Sequence, residues 1–307
     1  MSIVQRVAAA LALLVSLAAF AAPDAERFRK AAADAEAAAR KGPADVELAG
    51  QAVLRLPAGH LFVPQPQAGT LLNAMGNPGH DPRLQGLIFP EGEDGWFMTV
   101  RFESSGYVKD DDARDWNADD LLKSYREGTE ASNEERVKLG APALQIIGWA
   151  EKPAYDGATH RLVWAMATRA KDSPADAPQG VNYNTYALGR DGYFSLNLVT
   201  GLQQLPQHKA SAHTLLAALD YQDGKRYTDF NPKTDHVAEY GLAALVVGVA
   251  AKKLGFLALL VAFFAKFTKL IVLGLALLGA CVVKLLGRRR AQPVAATDAP
   301  ATEAPRS

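Results

Sequence analysis

Residues 240–290 carry eight basic residues, no acidic residue and an otherwise almost wholly apolar sequence. A tract of that length and composition is expected to belong to a membrane rather than to a water-facing domain. It comes in three runs, 240–251, 254–265 and 270–283, separated by Lys252 with Lys253 and then by Lys266, Phe267, Thr268 and Lys269. No single run reaches the roughly 20 residues that span a hydrocarbon core. Residues 254–286 together are long enough for a tilted span, with Lys266 and Lys269 either snorkelling or facing a partner helix. At the helical angle of about 100° per residue, Lys252, Lys266 and Lys284 fall within about 40° of one another and form one lysine stripe. Three arrangements fit: a membrane-proximal apolar helix over 237–253 followed by one transmembrane segment over 254–286; a lysine-lined oligomeric channel or receptor for anionic lipid; and a re-entrant or two-span hairpin. The first is preferred because charge in the middle of a bilayer is costly. Membrane lipid and a protein in the envelope are the expected partners of the stripe, and the segment also offers a surface for homo-oligomer formation.

At the other end, Arg6 precedes an apolar run over 7–20 that closes on Ala19, Phe20 and Ala21. A positive leader, a short apolar stretch and small residues at the cut make residues 1–21 a signal peptide, with cleavage expected after Ala21. An uncleaved anchor would leave the same domain on the same side. No cysteine stands near the cut, so a lipoprotein anchor is excluded. The cluster Arg288, Arg289 and Arg290 is expected to stay cytoplasmic. The main domain is then exported, on the periplasmic side of the inner membrane, and residues 287–307 form a disordered cytoplasmic tail rich in Ala and Pro.

The formal net charge of zero hides an asymmetry, because residues 22–251 hold 23 Lys or Arg against 31 Asp or Glu. An acidic domain lacks the basic footprint that phosphate neutralisation needs, so nucleic acid is not an expected partner. The one cysteine, Cys281, lies in the apolar tract. The exported part therefore has no disulfide, zinc-thiolate or thiol-nucleophile chemistry available and depends on its own core.

Apolar periodicity and turn residues set out the elements. An alanine-rich helix with Phe28 on one face, expected to be loosely docked, occupies 24–41 and stops at Gly42-Pro43. Strands follow at 46–48, 52–56 and 60–63 as a hairpin or small meander, then a short helix at 67–75 and paired strands at 84–89 and 96–102. A helix over 119–138 has Asn117 as its cap and Asp119 and Asp120 in its first turn, but only a thin apolar face. Strands at 146–150, 161–168, 181–188 and 193–199 come next, with a tight turn at 189–192, and a helix over 211–219 precedes a polar segment at 222–236. This order gives an α+β fold: a mostly antiparallel sheet with flanking helices over 44–236, preceded by the helical segment 22–43 and followed by a C-terminal transmembrane helix.

Several short stretches carry a family likeness: Gly76-Asn77-Pro78, Gly106-Tyr107-Val108-Lys109-Asp110-Asp111, Asp119-Asp120-Leu121-Leu122, Gly148-Trp149, Tyr155-Asp156, His160-Arg161-Leu162-Val163-Trp164, Asn182-Tyr183-Asn184, Leu188-Gly189-Arg190 and Glu239-Tyr240-Gly241-Leu242. Over roughly residues 46–284 the chain resembles the bacterial membrane-anchored proteins grouped as domain of unknown function 2167. That resemblance implies the topology above and brings no activity with it. The order of elements is also similar to the folds of photosystem-II PsbP and the Ran-binding Mog1 protein, a likeness that says nothing about chemistry.

The acidic run Asp110, Asp111 and Asp112 is the metal candidate, yet a calcium loop begun at Asp115 has Asp120 in place of the required Gly and Arg126 in place of the closing Glu. A solvated loop leading into a helix explains the run better. Asp156 and His160 would bring an acid beside an imidazole on a helix. Pro153, Tyr155 and Gly157 instead favour a turn in which Asp156 bonds local amides. Asp111 completes this weak catalytic set. There is no G-x-S-x-G elbow and no cofactor fingerprint, so no cofactor is expected. His60, His80, His208, His213 and His236 lack ligand spacing and are expected at the surface or sheet edges. Trp96, Trp149 and Trp164 mark core strands. If Asn182, Asn184 and Arg190 share a sheet face, they form a polar patch for a peptide or glycan. The reading that accounts for most of these features is a non-catalytic binding or scaffolding module of the cell envelope. An envelope enzyme and a transport or channel accessory subunit are the alternatives.

Overall fold

The computed structural model describes residues 25–248 apart from Pro78, Glu93, Asp115 and Leu139. The expected signal peptide, transmembrane segment and tail lie outside the described residues, as do Lys252, Lys266 and Lys284. Among the described residues no helix is long and apolar enough to cross a membrane.

Helix α1 (Ala25–Ala38) leads into β1 (Arg40–Lys41), β2 (Ala44–Leu48), β3 (Ala52–Leu56) and β4 (His60–Pro64). Helix α2 (Gln67–Ala74), β5 (Leu84–Pro90), β6 (Phe97–Glu103) and α3 (Ala118–Lys138) follow. The chain continues through β7 (Leu144–Asp156), β8 (Arg161–Ala170), β9 (Gly180–Leu188), β10 (Tyr193–Gly201), α4 (Leu205–Ala217), β11 (Leu219–Tyr221) and α5 (Leu242–Val247). Eight strands form one antiparallel sheet in the order β1-β4-β5-β6-β10-β9-β8-β7, and β11-β3-β2 form a second. The expected meander over the first strands is therefore split: β2 and β3 pair with each other, while β4 leaves them to pair with β5.

Strand alternation sorts the large sheet into two faces. On β6, Met98, Val100 and Phe102 join the core that packs beneath β2, β3, β11 and α4. Phe97 joins Val63, Leu87 and Phe89 on the opposite face, under α1 and α2. At the far side of that second face Leu162, Trp164, Leu188 and Tyr193 pack with Val108, Leu121 and α5. Helix α1 is docked by Phe28, Ala31, Ala32 and Ala35, all buried, so the sparse apolar spacing suffices because alanine lets the helix approach closely. Helix α4 starts six residues earlier than its apolar pattern predicted, since Pro206 is tolerated in a first turn and did not mark a boundary.

Helix α3 is attached in a different way. Asn117 Oδ1 accepts from the Asp119 and Asp120 amides at 2.8 and 3.3 Å, as its capping role requires. Of its residues only Leu121 and Asn133 are buried. Polar clamps to the edge strand β7 replace the missing apolar stripe: the Asn133 amide bonds both the Leu144 N–H (2.8 Å) and the Leu144 carbonyl (3.0 Å), and Arg126 donates to the Ile147 carbonyl at 2.6 Å. Trp149 Nε1 returns a bond to the Ala118 carbonyl at 3.0 Å. These clamps occupy outward-facing backbone groups that an edge strand otherwise leaves open.

Residues 237–247 belong to the folded domain. Tyr107 bridges Val237, and Leu242, Leu245 and Val246 are buried. The Asp112 carboxylate accepts from the Leu242 and Ala243 amides at 2.9 and 3.0 Å, which caps α5 across 130 residues of chain. Of the segment expected over 237–253, the described helix α5 packs Leu242, Leu245 and Val246 into the domain core.

Candidate functional site

The expected catalytic residues are brought together only in part. Between β7 and β8 the chain turns, and Asp156 bonds the Ala158 amide at 2.9 Å and the Thr159 hydroxyl at 2.7 Å, contacts that hold its carboxyl below the usual range. Asp156 is thus a turn residue, and the helix that would have aligned it with His160 is not formed. His160 ends the turn at φ 53°, a left-handed conformation for which histidine is one of the more tolerant side chains. It meets Asp110 instead of Asp111 or Asp156: Tyr155 donates to Asp110 at 2.7 Å and lies 3.1 Å from His160 Nδ1, and the imidazole is 3.8 Å from the carboxylate. Burial, and then the Asp110 bond, push the Tyr155 phenol far above its ordinary value, so it stays a proton donor to that carboxylate.

Rings close over this group. His160 packs on Tyr227 at 4.2 Å, Tyr227 on Tyr107 at 4.3 Å, and Tyr107 on Phe230 at 3.8 Å. The group ties the loop at 107–110, the turn at 155–160 and the segment 227–230 together. It is a clasp in which acid, phenol and imidazole contact one another. The acidic run is likewise dispersed: Asp110 faces Tyr155, Asp112 caps α5 and Asp111 is exposed in a 3-10 turn (Asp111–Arg114). Among the described residues no group of three or more His, Cys, Asp or Glu could hold a metal ion.

The expected Asn182, Asn184 and Arg190 patch is rearranged. Arg190 makes a paired contact with Asp235, 2.7 Å to each oxygen, and donates to the Gly224 carbonyl, so it anchors the 222–236 segment to the β9–β10 turn. Its hydrogen bonds hold the Asp235 carboxyl well below the usual carboxylate range. Asn182 and Asn184 do share a face, opposite Tyr183, which is fully buried in the first core.

Register shows what stands beside them. Trp164 on β8 is opposite Asn184 on β9, Asn184 is opposite Asn197 on β10, and Asn197 is opposite Thr99 on β6. The neighbouring row runs Leu162, Tyr186, Ser195 and Arg101. A strip of amides, hydroxyls and one guanidinium thus crosses the middle of the second face, between the apolar cluster under α1 and α2 and the cluster under α5. Two atoms on the Trp164 row, Asn197 Oδ1 and Trp164 Nε1, are buried without a hydrogen-bond partner among the described residues. Buried polar atoms are paired in the great majority of cases, and an ordered water is the usual partner of such atoms.

Arg101 belongs both to this strip and to the lining of a cleft of about 650 Å³ beside it. Gln65, Asn73, His80, Asp81 and Arg83 also line the cleft. The loop that forms its far side is shaped by Asn73, whose amide bonds the Gly79 carbonyl and N–H at 3.1 and 2.9 Å. Asp81 accepts from Arg83 at 2.7 Å and from Arg101 at 2.8 Å. Burial alone would raise the Asp81 pKa, but these bonds outweigh it and lower the value to about 2. Arg101 also donates to the Thr99 hydroxyl, and Arg83 reaches Glu103 at 3.2 Å. Two guanidinium groups therefore face two carboxylates, and the cleft is electrically balanced. Sequence reasoning missed Arg101, Asn197 and Ser195; on β6 and β10 they alternate with core residues, but nothing local told which face they shared with Asn184.

Of the other histidines, His208 departs from its expected surface position. It is buried, lies 2.7 Å from the Thr200 hydroxyl, and has its pKa lowered by that burial.

The architecture is that of a mixed α+β domain on one large antiparallel sheet, and two of the three unpaired buried side-chain atoms among the described residues lie on one face of that sheet. The chain belongs to the family described as Protein of unknown function (DUF2167), whose profile matches residues 40–276. Among solved structures it is similar to the solution structure of cyanobacterial PsbP (CyanoP) from Synechocystis sp. PCC 6803, at 10% identity, over 60% of this chain and 91% of that one, with a TM-score of 0.34. A likeness at that level carries no functional argument. No curated protein matches the chain.

Proposed function

We propose that the chain is a membrane-anchored binding module of the bacterial envelope, exported behind a signal peptide at 1–21, held in the inner membrane by 254–286, and using the polar strip on its sheet as the binding surface. The observation that carries this reading is the unpartnered Asn197 amide oxygen, set in a row of amides and hydroxyls where the flanking sheet positions are apolar core. A fold that keeps such a group in place of a leucine gives up stability, and functional sites are where that is found. The lysine stripe at Lys252, Lys266 and Lys284 supports lipid head groups or an envelope protein as the partner of the anchor, with self-association through the same segment.

The test uses the full chain in detergent. Thermal unfolding is followed in the presence of envelope glycans, peptides and lipid head groups, for the unaltered protein and for Asn197→Leu. The expected result is that one class raises the Tm of the unaltered protein and leaves the variant unmoved. No shift with any class would overturn the binding reading. For topology, Lys233→Cys should react with a membrane-impermeant maleimide in intact cells with a permeabilised outer membrane, and Thr297→Cys should not; the reverse pattern refutes the orientation.

A further inference from the structure

We infer that His160 is the domain's reactive imidazole: its Nε2 lone pair accepts a proton from water or a small alcohol, and Tyr155 and Asp110 are the residues that position it. The site is separate from the polar strip, so the inference goes beyond the binding reading and does not depend on it.

Proton counting fixes the tautomer. The Tyr155 oxygen lies 2.7 Å from Asp110 Oδ2 and 3.1 Å from His160 Nδ1. A phenol has one proton to give and a carboxylate can only accept, so that proton belongs to Asp110. The contact with Nδ1 then runs the other way, with Nδ1–H donating to the phenol oxygen. Tyr155 keeps its proton, because burial and the Asp110 bond push its pKa far above the ordinary value of a phenol. A neutral imidazole carries a single N–H, so the lone pair stands on Nε2. An unconstrained histidine side chain prefers the opposite arrangement, with its proton on Nε2.

The lone pair can be reached. The His160 side chain is 22% exposed. Among the described residues no hydrogen bond reaches Nε2, and Nε2 is not one of the three buried side-chain atoms left without a partner, so it is open to solvent. Two other histidines differ on this point: His208 is buried, and the Tyr183 hydroxyl stands 2.9 Å from Nε2 of His213.

The ring is also held in place. It packs on Tyr227 at 4.2 Å, and the Tyr227 hydroxyl is itself tied to the Val108 carbonyl at 2.9 Å. The backbone of His160 is left-handed, at φ 53°. Glycine would make that turn without the strain, and strained residues cluster where a side chain is held for use. In the proton step the ligand O–H bond breaks and an Nε2–H bond forms, which leaves an oxyanion and an imidazolium. The Asp110 carboxylate, 3.8 Å from Nδ1, faces the new positive charge across the phenol and stays ionised.

The experiment reads tautomer and reactivity on the full chain in detergent. Isotope-edited NMR of the histidine ring nitrogens, in mildly alkaline buffer, is expected to show the His160 proton on Nδ1. Tyr155→Phe removes the acceptor of Nδ1–H, and Asp110→Ala frees the phenol proton to turn toward Nδ1; each should return the His160 proton to Nε2. Carbethoxylation by diethyl pyrocarbonate, mapped by mass spectrometry, should modify His160 faster than the exposed His80. Both variants should slow the His160 reaction about tenfold, the low end of what a positioned base contributes. A purely structural clasp would leave His160 slower than His80, as its lower exposure dictates. An Nε2–H tautomer in the unaltered protein, or a His160 that reacts more slowly than His80, overturns the inference. Both measurements are made on the unaltered protein and stand where a variant fails to fold, and neither outcome bears on ligand binding at the strip.

Discussion

Asn133 is the side chain on which the attachment of α3 most depends, and Asn133→Ala tests that directly. The amide bonds Leu144 on both its N–H and its carbonyl, at 2.8 and 3.0 Å, and is 6% exposed. Each such bond contributes about 1 kcal/mol net. Alanine returns about 0.5 kcal/mol of helix propensity. The expected loss is therefore about 1.5 kcal/mol. Asn133→Asp provides the sharper control: it keeps an acceptor for the Leu144 N–H, but turns a charge toward the Leu144 carbonyl and toward Glu130, which now accepts from the amide at 3.1 Å. It should cost at least as much as alanine. Equilibrium denaturation of the full chain in detergent measures both values, and hydrogen exchange should show faster opening of 118–138 and 144–147, with β9 and β10 unchanged. Two variants within about 0.5 kcal/mol of the parent, with protection of Leu144 unaltered, would refute the view that polar clamps and not apolar burial hold this helix.

Gly241→Ala places a Cβ 2.5 Å from Asp112 Oδ2 and should displace the carboxylate that caps α5. A loss of about 2 kcal/mol is expected, and because Asp112→Ala removes the same cap the double variant should cost little more than either alone; additive losses would count against a shared contact. For pH, burial lowers the His208 pKa below its ordinary 6.5. The unfolded chain then takes up the extra proton first, so stability should decline as pH falls below about 6.5, and His208→Gln should flatten that slope in acid-unfolding curves. Asp81 acts in the same direction at lower pH, since its folded pKa of about 2 lies below its unfolded value of 3.8. Its contribution is held above pH 4 and lost as pH falls toward 2, and Arg101→Met should weaken that second decline.

Most elements were legible because their signals are local. The cap at Asn117, the apolar alternation of β5, β6 and β8 to β10, and the Asp156 turn each depend on residues only a few positions apart, and the structure has them where the pattern put them. The failures share a different cause. Whether β4 pairs with β3 or β5 is decided by which partner buries Phe62 and Val63, on opposite faces of the large sheet, and no window of sequence contains that choice. Helix α3 looked thin because its hydrophobic pattern is thin; its clamps are made to a strand eleven residues and more away, and Asn and Arg give no apolar period to read.

The sequence by itself determined the bulk physics: an acidic balance over 22–251, a lysine-bearing apolar tract over 240–290, and an α+β order of elements. Only the tertiary structure decided which polar groups meet. It took Arg190 to Asp235, set Arg101 on the face of Asn182 and Asn184, and gave His160 the carboxylate of Asp110 in place of Asp156. The reason is that cross-strand register is a long-range property. A strand alternates its side chains with period two, so a shift of one residue would send Asn197 into the first core and Leu196 or Leu198 to the strip, and the burial of whole faces, not the identity of any one residue, selects between those outcomes.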